Sequence, residues 1–197
     1  MKAVLFDLDD TLFDRGAAFD HYVADLMQRH PRAFPDERRE ADGAMLAALD
    51  ARGLEARWVV FARMAEAFPA LRMTAAAIGE DFRARIGSYV RADPRVVSAV
   101  EAIGARYRVA IVSNGGALTQ REKIARLGLG RRVGAVFISE EVGAEKPDPR
   151  IFRRALAWTE CAADEVLFVG DDPERDIEGA AARPASETTY RCSATAL

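Results

Sequence analysis

The sequence predicts an α/β protein in which a doubly wound parallel sheet is interrupted after its first strand by an inserted α-helical domain. Three observations carry this reading. From Asp93-Pro94 onward, short apolar runs alternate with helical patterns, the rhythm of a parallel sheet covered on both faces. Another short apolar run, Lys2 to Leu8, opens the chain and has no comparable partner until Arg108. The stretch between them, from about Arg15 to Arg91, carries only helical periodicity. The expected division is a discontinuous core, 1–14 with 92–197, and a helical insertion, 15–91. A chain of 197 residues is long enough for each part to bury a core of its own.

Taken in order, Lys2 to Leu8 is too short for an independent helix and ends at the acidic cluster Asp7, Asp9 and Asp10. Phe19, Tyr22, Val23, Leu26 and Met27 follow the i, i+3, i+4, i+7, i+8 stripe of an amphipathic helix. Three more helical patterns succeed it: Glu37 to Arg52 stopped by Gly53, Trp58 to Phe68 stopped by Pro69, and Thr74 to Val90 with Ile78, Phe82 and Ile86 on one face. Beyond the insertion come a helix over Val96 to Ala105, a strand over Arg108 to Ser113 and a helix over Leu118 to Leu127. A strand over Ala135 to Ser139, a helix over Ile151 to Trp158 and a strand over Val166 to Gly170 complete the series. Lys146-Pro147 is expected to open the helix before that last strand.

Composition narrows the function classes. Half the residues are hydrophobic, 30% are charged, and a net charge of -3 with both signs interspersed argues against a nucleic-acid or anionic-membrane surface. No apolar run approaches the roughly 18 residues of a membrane helix, and the opening MKAVLFDLDDT lacks a signal-peptide pattern, so a cytoplasmic location is expected. Cys161 and Cys192 have neither metal-site nor redox-motif spacing and read as ordinary thiols. Positive charge is carried almost wholly by arginine, the only lysines being Lys2, Lys123 and Lys146. Nothing in the pattern indicates an oligomeric state.

In an open parallel sheet, ligands bind beyond the carboxyl ends of the strands. Those ends hold Asp7, Asp9 and Thr11; Ser113, Asn114 and Gly115; and Asp171 and Asp172 with Asp176 beyond, while Lys146 lies in a turn. Asp7 and Asp9 are two apart, so on extended backbone they point to the same side, with Leu8 opposite. Like charges held this close repel unless a cation or a proton intervenes. The carboxylates at the last strand end would adjoin the first, and hard oxygen ligands in this number suit Mg²⁺. Lys146 supplies a compact positive charge able to neutralise Asp7 and a bound phosphoryl group. Thr11, Ser113 and Asn114, with the amides of the glycines that follow, are candidate donors to a substrate's phosphate oxygens.

These residues resemble the motifs of the haloacid dehalogenase superfamily, in the branch whose cap is a helical insertion after the first strand. Asp7-Leu-Asp-Asp-Thr-Leu12 is similar to its first motif and Ser113-Asn-Gly115 to its second. Lys146-Pro147 is similar to its third, and Gly170-Asp-Asp172 through Asp176-Ile-Glu-Gly-Ala180 to its fourth. Each motif alone is loose; four in order, covering the chain to about Ala182, are specific. The resemblance implies a phosphatase with a Rossmann-like core that acts on a small phosphorylated metabolite, a sugar phosphate or nucleotide, with Mg²⁺ as cofactor. It makes Asp7 the nucleophile that takes up the phosphoryl group and Asp9 the general acid/base. It gives the metal the carboxylates of Asp7 and Asp171 and the main-chain carbonyl of Asp9, with Asp172 or Asp176 supporting the metal's waters. Ser113 and Lys146 would bind phosphoryl oxygens. The cap would exclude water in the first step and carry specificity, with Arg15, His21, Arg57 and Arg63 as candidates.

Asp9 argues for phosphate over halide chemistry, because a departing halide needs no proton. The cap has no lysine for the Schiff base of phosphonate cleavage. A sugar-phosphate mutase, a receiver-like module and a non-catalytic binder of phosphorylated ligands are the alternatives. Relatives usually continue past Ala182 into one more apolar strand, whereas this chain runs on from Arg183-Pro184 through polar residues. The expectation is therefore that the last strand is absent or degraded, and that deleting residues after Ala185 costs little stability.

Overall fold

The computed structural model describes residues 1–53, 55–181 and 191–194. They hold one five-stranded, all-parallel sheet of order β3-β2-β1-β4-β5. The strands are β1 (Ala3–Phe6), β2 (Arg108–Ser113), β3 (Ala135–Ile138), β4 (Val166–Gly170) and β5 (Arg191–Ala194). The chain divides into two compact units, Met1–Asp14 with Arg91–Leu197, and Arg15–Val90; Arg91 therefore belongs with the sheet and not with the helices.

In the sheet unit, β1 is central, with Leu5 registered against Ala110 of β2 and Phe168 of β4. Ala3, Leu5, Ala110, Val112, Val166 and Phe168 have one parity and pack with Ile151, Phe152 and Ala155 of the helix Pro149–Thr159. Val4, Phe6, Val109 and Ile111, of the other parity, are buried as well, which is why these strands read as continuous apolar runs. Both faces need cover, and helices Pro94–Gly104, Ala117–Arg126 and Pro149–Thr159 alternate with the strands in the chain as the βαβ rhythm requires. The helix over Pro149–Thr159 takes Asp148 as its N-cap and Pro149 as its first residue. Lys146-Pro147, joined by a cis peptide bond, precedes it in the loop, which corrects the expectation that this pair opens the helix.

The missing last strand is also corrected. Arg191–Ala194 runs parallel to β4, with Leu167 registered against Arg191 and Gly170 against Ala194. An edge strand is held from one side by main-chain hydrogen bonds and needs no apolar run, so its residues gave little signal. Truncation after Ala185 would remove this strand and is no longer expected to be cheap. The stretch 182–190 and the last three residues lie outside the described residues.

The helical unit comprises α1 (Arg15–Arg29), α2 (Arg39–Leu49), α3 (Arg57–Ala67) and α4 (Ala75–Arg85). The stripe read from the sequence is buried: Phe19, Tyr22, Val23, Leu26 and Met27 of α1 lie in this unit's core. Tyr22 and Phe61 flank Phe82 at ring-centroid distances of 5.1 and 5.4 Å. The pattern expected to run on to Arg52 breaks at Leu49, because Asp50 turns inward. Arg15 Nη1 and Nη2 donate to the two Asp50 oxygens at 2.8 and 2.7 Å, and Arg57, stacked 4.9 Å from the Phe82 ring centre, also donates to Asp50. Gly53, at φ +79°, keeps the next turn clear: a Cβ there would come within 2.7 Å of the Arg15 guanidinium carbon.

Burial opposes the charge on Asp50, but Arg15 and Arg57 more than offset it and hold its carboxyl below the usual range. The stabilisation this gives is present above the ordinary aspartate range and fades as pH falls through the lowered value. Asp50→Ala strands two guanidinium groups and is expected to cost about 3–5 kcal/mol in chemical denaturation; a cost below about 1 kcal/mol would show that the pair carries no stability.

Candidate active site

The site grows from the carboxyl end of β1. The Asp7 amide continues the ladder by donating to Val169 O at 2.8 Å, so the Asp7 side chain leaves the central strand at a fixed angle. The chain then turns sharply. Asp10 sits at φ +60°, its amide donates to Phe13 O at 3.0 Å, and buried Leu8 and Leu12 anchor the loop from below. Leu8 is fully buried in the core; Asp7 is buried as well and Asp9 only partly, and the two carboxylates, expected on one side, meet different partners.

Asp7 meets Lys146, whose ammonium donates to Asp7 Oδ1 at 2.5 Å and to Asp176 Oδ1 at 2.6 Å. All three are buried. The loop that carries Lys146 is clamped by Asn114, which donates from Nδ2 to Lys146 O at 2.9 Å and accepts from the Lys146 amide at 2.7 Å. Asn114 therefore gives its side chain to the lysine's main chain, where the sequence had suggested contact with substrate. The Gly115 amide is likewise turned away, donating to Ser139 Oγ at 2.9 Å. Thr11 Oγ1 lies 3.4 Å from Asp171 Oδ1 and is aimed at a carboxylate.

At the end of β4 the three aspartates part company. Asp172 caps the helical turn that begins at Pro173, accepting from the amides of Glu174 and Arg175 at 3.0 and 2.9 Å. Asp176 turns back beneath the strand end, where its second oxygen accepts from the Asp172 amide at 3.2 Å. Gly170 makes room for it: a Cβ on Gly170 would stand 2.6 Å from Asp176 Cβ and closer still to its carboxyl group. Asp7, Asp171 and Asp176 present carboxylate oxygens all within 4.8 Å of one another. That favours Asp176 over Asp172 as the third acidic group, while the Asp9 side chain is directed elsewhere.

Burial pushes the Asp7 carboxyl up to about 7, against Lys146 and with added repulsion from Asp176 and Asp9. Asp171 is also raised, by burial and by Asp176 and Asp10. Burial works against the Lys146 ammonium, but the two carboxylates it contacts raise it and keep it charged. Three neighbouring carboxylates thus have one ammonium among them, in contact with two of the three. This is a donor set of hard oxygens short of positive charge, and it fits a small divalent cation.

Two residues that sequence reasoning passed over belong to the site. Lys123 Nζ donates to Asp9 Oδ1 at 2.6 Å, and Gln120 Nε2 donates to Asp9 Oδ2 at 2.8 Å and to Ser113 Oγ at 2.6 Å. Both are buried on the inner face of the helix Ala117–Arg126. The available signal was that Lys123 is one of three lysines and stands three residues from Gln120, on the same helix face, just after the second strand end. In the helical unit, Arg15 and Arg57 are taken up by Asp50, and Arg63 lies 4.0 Å from Glu55.

The family model for haloacid dehalogenase-like hydrolases matches residues 1–182. The chain belongs to this family. A glyceraldehyde 3-phosphate phosphatase from Methanothermobacter thermautotrophicus is 30% identical over 91% of this chain and 81% of its own length. A phosphoserine phosphatase from Thermus thermophilus is 46% identical, but the match takes in only 36% of this chain and 29% of that protein. Among solved structures, the HAD-hydrolase YfnB from Bacillus subtilis, bound to magnesium, superposes with a TM-score of 0.71. It is 21% identical, over 90% of this chain and 83% of that one, and so speaks for the fold alone. Among the described residues of this hydrolase, no helix is long and apolar enough to cross a membrane.

Proposed function

We propose that this hydrolase is a Mg²⁺-dependent phosphatase of small phosphate monoesters, sugar phosphates or nucleotides, working through an aspartyl-phosphate on Asp7. The observation that carries the reading is the convergence of the Asp7, Asp171 and Asp176 carboxylates, with buried Asp7 and Asp176 both bonded to Lys146, Asp171 exposed at the strand end and Asp9 held separately two residues on from Asp7. The phosphatase relatives support the substrate class. A receiver-like module has less support, since the acidic site here begins on the central first strand of a chain with a separate helical unit.

A carboxylate oxygen of Asp7 attacks phosphorus and the ester P–O bond breaks, while Asp9, which has to enter this step protonated against the Lys123 ammonium beside it, gives that proton to the departing alkoxide. Asp9 then takes a proton from water as the water oxygen attacks phosphorus; the Asp7–phosphate bond breaks and inorganic phosphate forms. Ser113 Oγ and Lys146 Nζ donate to the phosphoryl oxygens, where negative charge must be balanced in both steps. Asp7, Asp171 and Asp176, with the main-chain carbonyl of Asp9, would hold Mg²⁺, which when bound supplies positive charge for phosphoryl and carboxylate oxygens. Asn114 keeps the Lys146 loop in place.

The test is phosphate release from a panel of sugar phosphates and nucleotides with Mg²⁺ or with chelator. Release is expected only with the metal, and full turnover in EDTA refutes the metal assignment. Because Asp7 without metal titrates at about 7, Mg²⁺ must displace a proton to bind, and its affinity is expected to weaken as pH drops below that value. Titration calorimetry in buffers of different ionisation enthalpy should register this proton release at pH 6.5–7, on the order of the Asp7 titration. A binding heat that is independent of the buffer contradicts it.

A further inference from the structure

We infer that Gln120 and Lys123 are positioning residues that hold the Asp9 carboxylate for proton transfer, and that Gln120 ties the same carboxylate to Ser113. This rests on the phosphatase reading above and extends it to a helix that lies outside the four motifs.

The argument begins with the contacts. Each oxygen of Asp9 has its own donor, Lys123 Nζ at 2.6 Å on Oδ1 and Gln120 Nε2 at 2.8 Å on Oδ2. An aspartate in a loop has two free torsions, and one contact leaves its carboxyl plane free to turn. Two donors from one helix face fix both torsions. Those donors are themselves held: Gln120 and Lys123 are 2% and 8% exposed, and the Lys123 ammonium lies 5.4 Å from the centre of the Phe13 ring, in the same loop as Asp9.

Gln120 has a second task. Its Nε2 also lies 2.6 Å from Ser113 Oγ and 3.1 Å from Asn114 O, three acceptors for two hydrogens. By donating to the Ser113 oxygen, it makes the serine the donor in any further bond; here that proton is directed to Asn114 O at a long 3.4 Å, a contact that a phosphoryl oxygen would have to replace. A single amide thus sets the distance between the group that binds the phosphoryl oxygen and the group that moves the proton. Within this helix Ile124 is the buried apolar residue, with Leu127 buried just past its end.

The two residues are therefore expected to differ in effect. kcat/KM reports steps up to release of the first product, and acid assistance matters there for an alkyl leaving group but little for an aryl one. Lys123→Met should lower kcat/KM for the best alkyl phosphate by about tenfold or more, with p-nitrophenyl phosphate changed by no more than about twofold. Gln120→Met should lower both, the alkyl substrate more, and raise KM as well, since Ser113 loses its support. Lys123→Gln, which keeps a donor, should recover part of the loss and serves if the methionine variant folds poorly. In an Asp9→Asn background Lys123→Met should add almost nothing.

Equal losses for alkyl and aryl substrates, additive effects in the double variant, or unchanged kinetics in folded variants each overturn the inference and leave the phosphatase reading intact. A wild type inert toward both substrates in Mg²⁺ overturns that reading and this inference together.

Discussion

Asp7→Asn is expected to lower turnover by about 10⁴-fold or more while the metal-free protein becomes no less stable. The activity loss is what the proposed role of Asp7 as nucleophile requires; an amide oxygen beside Lys146 is a poor nucleophile. The stability result follows from burial. Asp7 is pushed from 3.8 to about 7, so its ionised form is disfavoured in the folded protein even with Lys146 in contact. Its neutral form adds stability at low pH that is lost as pH rises through about 7. Asparagine has no charge to bury, and Lys146 keeps Asp176 as partner at 2.6 Å. In chelator, the thermal midpoint of the variant relative to wild type should therefore rise between pH 5 and pH 8. A variant that is inactive and also melts lower at pH 8 would mean that Asp7 is a structural anchor, and its inactivity would say nothing about nucleophilic attack.

The parts of this arrangement that could be read in the sequence are those where one residue's chemistry is fixed by its own strand. The strands over Arg108–Ser113 and Val166–Gly170 have the bounds their apolar runs suggested, because a central parallel strand is buried on both faces and has no other composition open to it. Asp7, Ser113 and Asp171 are candidates because they stand at strand ends, a position legible without any tertiary contact. What escaped depended on contacts between distant segments. Gln120 and Lys123 looked like the ordinary polar residues of an amphipathic helix, and only the fold turns them onto Asp9, 111 and 114 residues away. The choice between Asp172 and Asp176 was half legible. An aspartate before Pro173 already reads as an N-cap, and Asp172 is one, but the turn that brings Asp176 back under Gly170 has irregular helical geometry without a sequence signature.

Asp9→Asn is the second large effect, and it separates a phosphatase from a dehalogenase, a receiver and an inert binder. Asparagine keeps the side-chain shape and the main-chain carbonyl, and it can still accept from Lys123 or Gln120, so the loop should hold. What is lost is the proton, and both half-reactions need it. Turnover of alkyl phosphates is expected to fall by about 10²–10⁴-fold. An aryl phosphate leaves as a weak base and needs little acid help, so with p-nitrophenyl phosphate the first step should survive while the second, which needs Asp9 to take a proton from water, is slowed. One equivalent of nitrophenol should then appear quickly, and the protein should carry one phosphoryl group by intact mass. Asp7→Asn should show neither. If Asp9→Asn turns over at the wild-type rate, proton transfer runs through another group. A wild type that itself remains phosphorylated for minutes would instead place the chain with receivers, because a phosphatase must clear Asp7 before its next turnover.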